Sequence, residues 1–432
     1  KLKLSNNKVM TIFYKINKCR ICGSKNLKNI IDLKKQYIQG SFIKKNNPKP
    51  YLKRIPLLVI LCKNCSLAQL SHTVSKEILY KNYWYESGIN LTMRNHLKEI
   101  AKIGSNLIKK NEGINVLDIG CNDGTLLNFY PKKFKKYGID PSQIIKKINK
   151  KKVKVFNDFF PPQKKNLLSN LKFDLITSIA MFYDLQNPNI FVKKLKTHLK
   201  HNGIWIFELS YLIDMLKLNS FDTICHEHLE YYSIHSLEFL LKKHNLKIFN
   251  ISRNNINGGS IRCFVTHSDN IIYDKNENIK KIKKLISYEK KIQIKKTYIY
   301  NEFYRNINII KKRLIFKIKL ILKQKKKIYI LGASTKGNTI LQFLNINDKI
   351  IPYAIERNKQ KIGAKTIGSN IIIVGEEFTE NSEPDYKLVL PWHFKREIIN
   401  RESNYIKRGG KLIFPLPKVL TIDKKNFSKY VK

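Results

Sequence analysis

The sequence predicts an α/β protein with a doubly wound, mostly parallel sheet in mid-chain, a second α/β unit at the end and a small loop-rich module in front. Three observations carry this reading. Short β-branched runs alternate with helical stretches between Asn115 and Phe207, the rhythm of a parallel sheet with crossover helices. The same strand, glycine turn, helix signature returns at Lys327–Thr339. Two Cys-x-x-C pairs precede both, in a stretch that includes Pro48, Pro50 and Pro56.

A chain of 432 residues, 43% of them hydrophobic, is long enough for two or three packed cores. The expected divisions are a module at 10–75, a central domain at 76–270, and a helical connection with a terminal α/β domain at 271–432. The formal charge of +51 would ordinarily suggest a nucleic-acid partner. Only 11 of the 83 basic residues are Arg, however, and the chain is also crowded with Ile and Asn. Lysine spread over every solvated face is a compositional drift rather than a nucleic-acid surface, so no dedicated nucleic-acid partner is expected. Such a charge still raises the local concentration of a small anion. The longest apolar run, Ile55 to Cys62, is too short to span a bilayer, and a soluble, cytoplasmic protein is expected.

In the leading module, Cys19-Arg-Ile-Cys22 and Cys62-Lys-Asn-Cys65 are separated by 39 residues. A C-x-x-C turn points two thiolates at one centre, and two such turns complete a closed tetrahedral zinc site. Cys19, Cys22, Cys62 and Cys65 are therefore expected to hold a structural Zn²⁺. Next, Tyr80-Lys-Asn-Tyr83-Trp-Tyr85 places Tyr83 and Tyr85 shortly before the central sheet, where an entry helix could close over a ligand.

The central strands are expected at Val116–Asp118, Tyr137–Asp140, Val153–Phe156, Phe173–Ile176 and Gly203–Phe207. After the first comes Asp118-Ile-Gly120-Cys-Asn122-Asp-Gly124-Thr, a glycine turn between strand and helix that lets the backbone approach a nucleotide. A carboxylate at this strand tip suits a cationic ligand end better than a pyrophosphate. Asp140 follows by 22 residues, at the next strand tip, where it can accept ribose hydroxyls. Asp158 and Phe159 close the third strand with a carboxylate and an aromatic face for an adenine, and Ser178 ends the fourth.

With Asp118, Gly120, Asn122, Gly124, Asp140 and Asp158 on matching motif positions, the middle third resembles a class I S-adenosylmethionine methyltransferase. Two further segments narrow the likeness: Phe221-Asp-Thr-Ile-Cys225-His226-Glu227-His228-Leu-Glu-Tyr-Tyr-Ser233 and Asn257-Gly-Gly259-Ser-Ile-Arg262. Together with the four-cysteine module and the trailing α/β domain, the chain is similar to the sugar C-methyltransferases of nucleotide-deoxysugar pathways across nearly its whole length. The resemblance implies methylation of carbon beside a keto group: a base removes the acidified proton and the enolate attacks the sulfonium methyl. It also implies S-adenosylmethionine as cofactor and a nucleotide-sugar as substrate. This chain departs from the family in having Cys225 where a Tyr is expected and Tyr183 where a His is expected.

Judged as residues, His226-Glu227-His228 combines imidazoles that titrate near neutrality with a carboxylate. His228 is the expected base, and Glu227 its orienter or a ligand of a sugar hydroxyl. Asn257, Gly259 and Arg262 are expected near a phosphate, and Tyr183 near the substrate. Lys336, at the start of a helix in the last domain, is expected in the anion-binding wall. O- or N-methylation of a sugar or other small molecule is the alternative, with the same base removing a hydroxyl proton. A non-catalytic zinc or nucleic-acid-binding protein is the third reading.

Overall fold

A computed structural model describes residues 12–44, 51–80, 86–108, 112–164 and 166–431. Tyr83 and Tyr85 lie outside the described residues. The central sheet has seven strands in the order Leu246–Asn254, Ser260–His267, Leu199–Ser210, Phe173–Ile179, Asn115–Ile119, Lys135–Ile139, Lys154–Phe156. The last five run parallel, and Ser260–His267 lies antiparallel to both its neighbours. The middle of the sheet is covered on both faces: every residue from Phe173 to Ser178 is buried. The chain order reverses at Asn115–Ile119, so the crevice beyond its carboxyl end is the topological switch point where such sheets bind ligands. All five expected strands are present.

The terminal domain carries a second, mostly parallel sheet centred on Ile328–Leu331, flanked by Tyr353–Ile355 and Tyr386–Val389. Its edge reaches back in sequence, because Phe42–Ile43 pairs with Lys365–Thr366. The expected Lys-rich helical region is two helices, Asn276–Lys291 and Tyr298–Lys323. The second buries Phe303, Ile307, Ile310, Leu314, Ile318 and Ile321 along one face, the spacing of an amphipathic helix.

The leading module is an antiparallel sheet of Leu27–Gln36, Ile55–Cys62 and Ala68–Leu70. Its fourth strand is borrowed: Glu230–Tyr231, just after His226-Glu227-His228, pairs with Ala68–Gln69. All three parts of the chain thus meet at the segment carrying those histidines. None of the described helices is long and apolar enough to cross a membrane.

Candidate active site and metal centre

The two cysteine pairs fold into matching turns. Gly23 N donates to Cys19 O and Ser66 N to Cys62 O, each at 3.0 Å, and Gly23 and Ser66 both take positive φ. The four sulfurs lie within 4.8 Å of one another, with Cys19–Cys65 at 3.5 Å and Cys22–Cys62 at 3.4 Å. A zinc ion bound at about 2.3 Å to each of four thiolates sets the sulfurs a little under 4 Å apart, so the cluster fits that ion. With four protein ligands it leaves no open position, and the site is structural.

The crevice at the switch point opens into a cavity of about 970 Å³ between the central and terminal domains. Its inner wall holds Asp118 and Asp140. Asp118 is buried and accepts a hydrogen bond from Thr177 Oγ1 at 2.7 Å. Burial, aided by the neighbouring carboxylates, pushes its acid up to about 7. Asp140 accepts from Asn122 N, Ser142 N and Ser142 Oγ, and burial holds its acid above the usual range as well. Among the described residues no cation offsets this acidic pair, an arrangement suited to a cationic ligand. Gly120 carries the chain past it at φ +76, and a Cβ there would lie 3.0 Å from Met181. Asn122 and Phe159 also line the cavity.

Three expected cofactor residues do other work. Gly124 caps the Thr125–Phe129 helix at φ +76 and packs against Ile148, where a Cβ would meet Cγ1 at 3.0 Å. Asp158 spends its carboxylate on the amides of Phe159, Gln163 and Lys164; it holds the loop that presents Phe159 rather than facing the cavity. Ser178 is buried in the sheet, where its hydroxyl accepts from Trp205 Nε1 at 2.9 Å.

The histidine segment forms the facing wall. His228 Nδ1 lies 2.7 Å from Thr223 O. A carbonyl only accepts, so Nδ1 carries the proton, and Nε2 is left with its lone pair. Burial, reinforced by the Lys336 ammonium, lowers the imidazolium pKa to about 3, so the ring is neutral. Tyr183 meets it edge-on, with ring centroids 4.4 Å apart. Glu227 lines the same cavity; its Oε1 accepts from Gly40 N at 2.7 Å and its Oε2 is buried without a partner among the described residues. Since Thr223 orients His228, Glu227 does not.

His226, expected with the catalytic pair, is turned away from the cavity. It is fully buried against the leading module, 2.8 Å from Gln39 Oε1 and 3.3 Å from Ile55 O, and burial lowers its pKa to about 4. Arg262 likewise faces inward, at 2% exposure, bonded to Glu208 and Glu99 and close to His96. Strand alternation directs it into that buried acidic partner, so it offers nothing to a phosphate. Gly259, at φ +111, exists for close packing: a Cβ would lie 2.4 Å from Asp214 Cβ. Asn257 does reach the cavity, and its carbonyl accepts from Lys336 Nζ at 2.7 Å.

In the terminal domain the glycine turn is partly filled by the protein itself. Ala333 N donates to Glu356 Oε2 and Lys361 Nζ to Ala333 O. Four contributors carry no motif of their own: the Thr223 carbonyl, Gly40, Asp184 and His393. Asp184 is a half-buried cavity residue whose acid is held up by desolvation and by Glu227 and Glu230.

Three family models tile this architecture. Residues 19–80 match a zinc binding domain, 93–251 a methyltransferase domain and 255–417 a C-methyltransferase C-terminal domain. The chain is an S-adenosylmethionine-dependent methyltransferase. A curated relative, C-methyltransferase NovU of Streptomyces niveus, is 24% identical over 406 residues, spanning 93% of this chain and 96% of its own. Among solved structures, an S-adenosylmethionine-dependent methyltransferase from Clostridium acetobutylicum covers 42% of the methyltransferase and 93% of its own chain (17% identity, TM-score 0.31). The plantazolicin methyltransferase BpumL in complex with SAH covers 40% and 82% (15% identity, TM-score 0.31). The chain thus aligns with NovU as a whole and with these two structures over less than half its length.

Proposed function

We propose that the enzyme methylates a carbon adjacent to the keto group of a nucleotide-linked deoxysugar. The observation that carries this reading is the neutral His228, proton fixed on Nδ1, with Nε2 available in the cavity that also holds Asp118 and Asp140. S-adenosylmethionine, when bound, supplies an electrophilic methyl on a sulfonium. Asp118 and the Gly120 turn would hold its cationic end and Asp140 its ribose, with Phe159 beside the adenine. His228 Nε2 takes the acidified C–H proton of the sugar. The negative charge developing on the sugar offsets the burial that otherwise disfavours an imidazolium. Glu227, with a buried oxygen that has no partner among the described residues, is suited to a sugar hydroxyl.

Lys361, Arg357 and Arg401 line the terminal-domain wall and suit a diphosphate. The likeness to a C-methyltransferase over most of both chains supports carbon as the acceptor. Seven free cysteines, four of them the zinc ligands, suit a reducing cytoplasm. The test is incubation with S-adenosylmethionine and a thymidine diphosphate 4-keto-6-deoxysugar, followed by NMR. A new methyl carbon bonded to the ring carbon beside the ketone is expected. A methyl on oxygen would replace this reading with the O-methyltransferase alternative.

A further inference from the structure

We propose that Lys336, brought in by the terminal domain, is the catalytic electrophile that holds the carbonyl oxygen of the keto-sugar as it becomes an enolate. This deepens the function proposed above and rests on it. Lys336 stands in the first turn of the Thr335–Leu344 helix, and that helix is pinned to the histidine segment and the leading module. Thr339 Oγ1 donates to Ile224 O, and Asn338 Nδ2 donates to Gln39 O at 2.8 Å. The Lys336 ammonium is thereby fixed in the wall it shares with His228, Glu227, Asn257 and His393.

Three features separate this lysine from an ordinary anion ligand. Among the described residues its hydrogen bond is to Asn257 O alone, at 2.7 Å, so two of three N–H donors are left for a ligand. It is half-buried in the cavity wall, yet it forms no close ion pair among those residues. The helpful charge is Asp222, acting through space, itself buried with Oδ2 on Trp392 Nε1 and Oδ1 without a partner among the described residues. A half-buried ammonium with spare donors and no ion-pair partner among the described residues is placed to receive an anion that forms during turnover. Finally, Lys336 acts electrostatically on His228 and on His393. In the resting site that proximity opposes protonation of His228. With an enolate oxygen between them, imidazolium, oxyanion and ammonium alternate in sign.

The step balances. His228 Nε2 takes the proton from the carbon beside the ketone; the C–H pair becomes the C=C bond, and the carbonyl π pair moves to oxygen, where Lys336 donates to it. The carbonyl then re-forms, the carbon bonds to the methyl, and the C–S bond breaks with its pair left on sulfur. The products are the C-methylated sugar, S-adenosylhomocysteine and the proton on His228, which passes to solvent.

The test is solvent deuterium exchange into thymidine diphosphate 4-keto-6-deoxyglucose, followed by NMR with S-adenosylhomocysteine present and no methyl donor. Wild type is expected to exchange the proton beside the ketone. K336M should exchange about 100-fold or more slowly, the effect of losing one oxyanion donor, with S-adenosylhomocysteine affinity by calorimetry within twofold of wild type. K336R, which keeps the charge, should stay within about tenfold of wild type. Exchange by K336M at the wild-type rate overturns the role of Lys336 and leaves the keto-sugar reading standing. No exchange by wild type overturns both. Should K336M lose the calorimetric signal through misfolding, K336R decides: a 100-fold loss in that variant, with ligand affinity intact, overturns the proposal.

Discussion

Asp118→Asn isolates the acidic pair at the switch point. The wild-type carboxyl is buried at 3% exposure and its acid is raised to about 7. Between pH 4 and 7 the unfolded chain has released this proton and the folded chain has not, so stability falls as pH rises across that window and the penalty is complete above it. Holding the acid near 7 rather than near 4 corresponds to about 4 kcal/mol, an upper value because part of it is relieved by local relaxation. Asn keeps an oxygen for the Thr177 hydroxyl and removes the charge. The ligand-free variant should nearly match wild type at pH 4, where the folded wild-type chain is protonated and the unfolded chain has only begun to release the proton, and melt roughly 5–10 °C higher at pH 8. It should also bind S-adenosylmethionine at least about tenfold more weakly at pH 8, since burial of an unpaired carboxylate is what a cationic ligand relieves. Thermal melts at the two pH values and calorimetry with the cofactor check both. A variant that melts below wild type at pH 8, or binds as tightly, would refute the reasoning.

Other perturbations address the remaining parts. His228→Gln should cut methyl transfer by about 100-fold or more while leaving cofactor affinity within twofold, because base and cofactor subsites are separate; initial rates and calorimetry distinguish the two. Asp140→Ala should do the reverse, weakening the cofactor and loosening the two strand-end loops whose Asn122 and Ser142 amides it accepts from. Gly40→Ala places a Cβ 2.2 Å from Glu227 Oε1, so it should displace that carboxylate, cost about 1–3 kcal/mol and raise KM for the sugar more than for the cofactor. Cys62→Ser should lower bound zinc, measured by colorimetric titration, and lower the melting temperature of the whole chain rather than of the leading module alone, since Glu230–Tyr231 completes that module's sheet.

Much of the fold was legible because it is written locally. The β-branched runs before Gly120 and Gly332 mark parallel strands, and paired C-x-x-C turns mark a metal centre wherever they sit. Site assignment was harder, since the fate of a side chain was set by partners far off in sequence. His226 and His228 are the same residue type two positions apart; Gln39 and Ile55 bury one, while Thr223 aims the other at the cavity. Arg262 is a plausible phosphate ligand until Glu208 and Glu99 take it. Asp158 had a local competitor, the amides of its own loop, of the kind an acidic residue at a strand end commonly meets. Backbone contributors such as the Thr223 carbonyl leave no mark in a side-chain pattern.

The role of the leading module follows from the same geometry. Arg20 lies between two zinc ligands, donates to Gln69 Oε1, Leu70 O and Thr73 Oγ1, and sits 3.6 Å from Glu230. Leu70 N in turn donates to Leu229 O at 2.8 Å, the residue directly after His228. The turn that the thiolates organise is therefore two contacts from the proposed base. On the other side the Thr335–Leu344 helix holds the same segment through Ile224. A segment clamped from both flanks keeps His228 in one orientation without a long supporting strand of its own, which is the preorganisation that proton abstraction from carbon requires.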